Sequence, residues 1–203
     1  MKLYDTKLAP NARRVRMFLA EKGISIPLVP IDLMKLEQRS KDFSAMNPDQ
    51  RVPVLVLDDG TVIFESVAIC RYFEELQPDP PLFGTGALGR ATVEMWQRRI
   101  ELDLFFPIAE TIRNSHPAFA VLEAQQLPEH ADKCRARVLR EMEKLDRELA
   151  GRRFAAGDDF SIADITGVCA LDFMRLARLR IPVELLHLTR WHKEVSDRPS
   201  AAA

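Results

Sequence analysis

A chain of 203 residues, 47% hydrophobic and 29% charged, is long enough for one or two domains with a sizeable core. Its 29 Lys and Arg against 30 Asp and Glu give a net charge of −1, so no global field draws it to nucleic acid or to an anionic membrane, and neither partner is expected. The three cysteines, Cys70, Cys134 and Cys169, lie far apart on apolar helical faces and read as buried free thiols of a reducing compartment. Without an 18-residue apolar run or a signal peptide, the expected location is cytoplasmic.

Residues 2–5 read as a strand, and Asn11 to Lys22 as a helix with Val15, Phe18 and Leu19 at helical spacing and Gly23 as its stop. Ile26 to Ile31 is a second strand, and residues 35–46 a more polar helical stretch closed by Asn47-Pro48. Pro53 has no N–H for a sheet ladder, so it opens the short apolar strand Val54 to Leu57; such a proline is a candidate for a cis bond. Asp58-Asp59-Gly60 is a hairpin turn, and Thr61 to Phe64 returns as a strand. Glu65-Ser66 then opens a helix through Val67, Ile69, Cys70, Phe73 and Leu76. Ser66 fits an N-cap, and the N–H groups beside it form a ready anion site.

Gln77 to Pro81 and Gly84-Thr-Gly86 form a connector, after which every periodic segment is helical. A long helix runs from Ala87 past Trp96 and Ile100, with Pro107 predicted to kink or end it. Another places Cys134, Val138, Met142, Leu145 and Leu149 on one face and stops at Gly151. Ser161 and Asp164 have the spacing of a capping box with Phe160 and Ile165 as its staple, a structural role. Ala201 to Ala203 is expected to fray. The fold class is therefore α/β plus all-α: a βαβαββα domain over residues 1–78, a linker over 79–86, and an all-helical bundle over 87–203. The four histidines never pair with cysteine or carboxylate at ligand spacing, so no metal site is expected.

Leu3-Tyr4 before a helix with Arg14-Val-Arg16 and Glu21-Lys-Gly23, then Asn47-Pro48, Arg51-Val-Pro53, Glu65-Ser66 and Phe160-Ser-Ile-Ala-Asp164, occur in an order and spacing that resemble the cytosolic glutathione S-transferases, bacterial theta- or nu-like, over nearly the whole length. The resemblance implies a thioredoxin-like first domain, glutathione as co-substrate, a homodimer, and a cis bond between Val52 and Pro53. It further implies that the Val52 backbone pairs with the cysteinyl part of glutathione and that Glu65 and Ser66 hold its γ-glutamyl end. The chemistry suits them, Glu65 for the ammonium, Ser66 and its helix start for the α-carboxylate. The glycine carboxylate then falls near Gln38 and Arg51.

A transferase must stabilise the glutathione thiolate, which is the nucleophile. The family's serine or cysteine before the first helix is replaced here by Ala9, which can do neither job. Tyr4 is one residue out of register with the family's tyrosine and reads as packing, and Thr6 is a minor candidate. Asn11 is better placed: with Pro10 at the first helical position and Asn11 at the second, its amide and the free N–H groups face the thiolate at the positive end of the helix.

A small hydrophobic second substrate is expected in a cleft between the domains, with one or two of Phe105, Phe106 and Ile112 reaching it. Arg99 and Asp103, one turn apart, are a candidate ion pair, Asp103 alternatively approaching glutathione across a dimer interface. The leading function is addition of glutathione to hydrophobic electrophiles. Glutathione-dependent disulfide or peroxide reduction is the rival in chemistry, and a non-catalytic interaction module the rival in class. Maleylacetoacetate isomerisation is disfavoured, because Lys7-Leu-Ala-Pro-Asn11 stands where zeta-like relatives carry a serine- and cysteine-rich segment.

Overall fold

A computed structural model describes residues 1–123 and 125–203, which divide into two compact units, Met1–Pro81 with Pro199–Ala203, and Leu82–Arg198. In the first unit β1 (Lys2–Asp5), α1 (Pro10–Glu21), β2 (Leu28–Pro30), α2 (Lys41–Met46), β3 (Val54–Val56), β4 (Val62–Phe64) and α3 (Ser66–Leu76) follow in order. The sheet order is β2-β1-β3-β4, with β2 parallel to β1, and β3 antiparallel to both β1 and β4. This is the βαβαββα arrangement of a thioredoxin-like domain.

Prolines trim the edges of this sheet. β2 is shorter than the predicted Ile26 to Ile31 because Pro27 before it and Pro30 at its end have no N–H groups; outside its ladder Leu3 N–H bonds the Pro27 carbonyl and Ile31 N–H that of Asp5. The predicted helical stretch 35–46 is broken at Ser40, whose hydroxyl caps α2 by accepting from Phe43 N–H (3.3 Å), with a 3-10 turn over Glu37–Arg39 before it. Leu3 and Leu55 pair in register and are fully buried, while Tyr4, Phe43, Val52 and Val54 pack into a second cluster. Tyr4 meets Phe43 edge-on, ring centroids 6.1 Å apart, so it does pack.

Two polar devices hold the unit's far end. The buried Lys22 ammonium donates to the carbonyls of Gln77 (2.8 Å), Pro78 (3.1 Å) and Pro80 and pairs with Glu74, tying the end of α1 to the end of α3 and to the segment beyond. The last residues are ordered rather than frayed: Pro199–Ala202 form a 3-10 turn against α1, the Ala201 carbonyl accepting from Arg13 Nη2 (3.1 Å) and the Ser200 hydroxyl donating to Glu21. This segment therefore belongs with the first unit, whereas the predicted boundary put it with the helices.

The second unit comprises α4 (Gly86–Arg99), α5 (Phe106–Arg113), α6 (Pro128–Leu149), α7 (Ile162–Phe173) and α8 (Leu186–Ser196). Pro107 does not end the long helix. The stretch Ile100–Phe105 widens into a π-helix that carries the chain into α5, and this wider turn accommodates Pro107, the second residue of α5, whose ring and missing N–H would break a regular α-helix. The altered winding also separates the predicted pair: Asp103 bonds Arg137, and Arg99 instead stacks on Trp96 (4.0 Å) and faces Glu148 (3.9 Å).

α7 is buried from Ile162 to Leu171 and forms the centre of the bundle. At its start Ser161 and Asp164 form the predicted capping box. Asp164 Oδ2 accepts from Ser161 N–H (2.9 Å) and the Ser161 hydroxyl (3.0 Å), while Oδ1 accepts from Ala155 N–H and Trp191 Nε1, both at 2.8 Å. Trp191 also packs against Gly167, where a Cβ would come within 2.6 Å of the indole, so only glycine permits this approach of α7 and α8. Cys70 and Cys169 are buried, but Cys134 is part-exposed, its Sγ 3.5 Å from His130 Nε2, so it departs from the buried thiol expected.

Candidate active site

Strand directions gather the predicted residues of the first unit. β1, β2 and β4 end where β3 begins, so one edge of the sheet carries the β1–α1 corner with Ala9 to Asn11, the chain from β2 to Gln38, the Val52-Pro53 entry to β3, and Glu65-Ser66 at the start of α3. Each corner has its own fastening. Arg16 Nη1 grips both carboxylate oxygens of Asp5 (2.7 and 2.9 Å) and the Thr6 carbonyl (3.1 Å), fixing the end of β1 on α1. The nearly fully buried Asn47 donates to the Arg51 carbonyl (2.9 Å) and accepts from Asp49 N–H (3.1 Å), which shapes the loop into Val52. The Val52–Pro53 bond is cis, as is Asp79–Pro80, which had no signal in the pattern.

Glu65 sits at φ 71° and ψ 113°, a conformation that a residue with a Cβ adopts only under strain, and its side chain is exposed. No side chain of that N-cap closes α3, so the first-turn N–H groups of Ser66, Val67 and Ala68 keep their capacity to bind an anion. Ser66, 4% exposed, is not the N-cap expected from the pattern, because the non-helical backbone falls on Glu65; Ser66 occupies the first helical position, and its Oγ accepts from Arg14 Nη1 at 2.8 Å. Arg14 itself is 1% exposed.

Ala9 is the N-cap of α1, Pro10 the first helical residue and Asn11 the second, as predicted. Asn11 is exposed in the first turn and Thr6 is buried with its carbonyl engaged by Arg16. Arg51 exposes its side chain, whereas Gln38 is buried with an Oε1 that has no hydrogen-bond partner among the described residues. Of the three pocket candidates in the second unit, Phe105 (6% exposed) and Ile112 (0%) are core, and Phe106 (58%) is exposed.

Arg14 is the residue that spacing arguments missed. A signal was present, because Arg14 shares the stripe of Val15 and Phe18, and a cation on a buried stripe needs a polar partner. That partner, Ser66, is 52 positions away. Among the described residues no group of three or more His, Cys, Asp or Glu could hold a metal ion, and no helix is long and apolar enough to cross a membrane.

Comparison with known proteins matches residues 9–76 to the family described as glutathione S-transferase, N-terminal domain, and residues 103–199 to glutathione S-transferase, C-terminal domain. The chain is 37% identical to glutathione S-transferase 2 of Saccharomyces cerevisiae, over 98% of this chain and 87% of that protein. The crystal structure of Gtt2 from Saccharomyces cerevisiae is similar with a TM-score of 0.94 at 37% identity, covering 100% of this chain and 99% of that one. A glutathione S-transferase domain-containing protein of Marinobacter aquaeolei gives 0.95 at 39% identity, covering 98% and 99%.

Proposed function

Since the chain belongs to the glutathione S-transferase family, whose co-substrate is glutathione, we propose that the open edge of its first unit binds glutathione and lowers the pKa of the thiol without a hydroxyl at position 9. The observation carrying this is the pair of helix starts on one sheet edge, α3 with uncapped N–H groups beside Ser66 and α1 with Asn11 in its first turn.

Glutathione fits this edge end to end. Glu65 takes the γ-glutamyl ammonium, and the Ser66 hydroxyl with the α3 amides takes its α-carboxylate. The Val52 backbone beside the cis proline pairs with the cysteinyl unit. Arg51, exposed and cationic, takes the glycine carboxylate; the unpartnered Gln38 Oε1 suits a peptide N–H of the ligand better than an anion. The sulfur then lies by the first turn of α1, where the Asn11 amide and helix N–H groups stabilise the thiolate.

The activated thiolate adds to a small hydrophobic electrophile. We place the enzyme in the cytoplasm as a homodimer; Leu88 and Met95, seven residues apart and exposed on α4, provide apolar surface for a second copy.

The test is the ultraviolet thiolate absorbance of bound glutathione titrated from about pH 5 to 9, with occupancy confirmed by calorimetry. The bound thiol is expected to titrate clearly below the free value of about 8.5. Asn11→Ala should leave binding intact and raise that value by about 1 to 2 units, the worth of one charge-assisted hydrogen bond. Binding with no shift in the parent protein would leave a ligand-binding module instead of a transferase, and an unchanged titration in the variant would remove Asn11 from the chemistry.

A further inference from the structure

We propose that Arg14 is a positioning residue for the γ-glutamyl α-carboxylate, acting from beneath the site through the Ser66 hydroxyl. The proposal rests on the glutathione site described above and assigns a role to a residue that, at 1% exposure, cannot be a primary contact of an incoming ligand.

A serine hydroxyl has one proton to give and lone pairs to receive. Ser66 Oγ already receives from Arg14 Nη1 at 2.8 Å, in a bond where both side chains are buried. The hydroxyl proton is thereby excluded from the direction of Arg14, and donation of a hydrogen bond from a cation makes that proton a stronger donor to a third group. Ser66 is also the first residue of α3, so the direction left for its proton lies with the first-turn N–H groups, where an anion is favoured. The guanidinium adds a full positive charge one hydroxyl away from that anion, in a buried setting where screening is weak. Orientation of Ser66 is fixed before the ligand arrives, so binding loses less side-chain freedom.

The arrangement separates two tasks along α1. Asn11 stands exposed in its first turn and acts on the sulfur end of glutathione; Arg14, on the buried side, acts on the opposite end. Changes at Arg14 should therefore alter affinity for ligands that carry the α-carboxylate and leave the bound thiol's titration where it was.

The experiment compares glutathione with its analogue lacking that carboxylate, γ-aminobutyryl-cysteinyl-glycine, by calorimetry on the full chain and on Arg14→Met. The parent should prefer glutathione at least tenfold. Arg14→Met should lose most of that preference, binding glutathione 10- to 100-fold more weakly and the analogue within about twofold of the parent, with an unchanged thiol titration. Arg14→Lys keeps the charge and serves if the methionine variant does not fold: it should weaken glutathione three- to tenfold with Ser66 present and no more than twofold in an Ser66→Ala background. Equal weakening of both ligands, or an undiminished preference in the arginine variants, would overturn the role of Arg14 while leaving the site itself standing. No preference in the parent would overturn both, since the α-carboxylate would then not be held at Ser66.

Discussion

Two helices of this molecule begin with a serine next to a carboxylate-bearing side chain, and they put the same chemistry to opposite uses. At α7 the start is closed. Asp164 turns inward, is 0% exposed, and spends both oxygens on Ser161, Ala155 and Trp191. At α3 the start is open: Glu65 points outward from a left-handed backbone, makes no cap, and Ser66 is held from below by Arg14. The difference teaches that a helix start becomes a site when its donors are left unspent and its serine is oriented by something other than its own cap.

The largest effect should come from breaking the closed start. Asp164→Ala leaves the N–H groups of Ala155 and Ser161 and the Trp191 indole buried without an acceptor, and should cost about 3–5 kcal/mol in urea unfolding. Glutathione affinity of the folded protein should be unchanged. A pH dependence accompanies it, because burial pushes the Asp164 carboxyl up despite hydrogen bonds from Ala155, Trp191 and Ser161 that pull it down. The native state thus takes up a proton before the unfolded chain does. The linked stabilisation is complete below the ordinary value of 3.8 and is lost as pH rises through the raised one, so the cost of Asp164→Ala should grow as pH falls from 7 toward that value. A cost that shrinks on acidification would mean that the four hydrogen bonds, and not burial, govern this carboxylate.

Ser66→Ala, at the open start, should reverse the balance of effects. Loss of one hydroxyl donor to a carboxylate should weaken glutathione by about 10- to 100-fold, or about 1.4–2.8 kcal/mol. Stability should fall by only about 1–2 kcal/mol, the price of a poorer partner for Arg14. Calorimetry and urea unfolding on the same two variants make the comparison decisive: if Asp164→Ala weakens the ligand more than Ser66→Ala does, the division between a closed and an open start is wrong.

How much of this was legible beforehand depended on the range of the interaction. The Asp-Gly hairpin, the Ser161 to Asp164 cap and the α6 stripe from Val138 to Leu149 are written in residues three or four apart, and each is found where the pattern put it. The π-helical turn at Ile100–Phe105 left no mark that 3.6-residue periodicity detects, and with it went the predicted Arg99 and Asp103 pair. Burial of Phe105 and Ile112 likewise depends on neighbours in other helices, not on their own segment. At the sheet edge, the cis bond at Pro53 and the helix start at Glu65-Ser66 were legible because turn chemistry is local, although the N-cap fell on Glu65 and not on Ser66. Arg14 was not, since its meaning is a contact across 52 residues.

The smallest effect probes the strain at Glu65. At φ 71° a glycine rests without the steric cost that any Cβ brings, so Glu65→Gly should be about 1–2 kcal/mol more stable than Glu65→Ala, while both variants lose the ammonium contact and weaken glutathione equally. Ser161 offers the matched control. Its φ of −146° is ordinary extended backbone, so glycine there gains nothing over alanine by relief of left-handed strain. If the glycine advantage is confined to position 65, the open start carries a conformation held against its local preference, and it does so at the residue proposed to hold the ligand's ammonium. If glycine and alanine are equally stable there, the backbone is not strained, and Glu65 faces outward through packing alone.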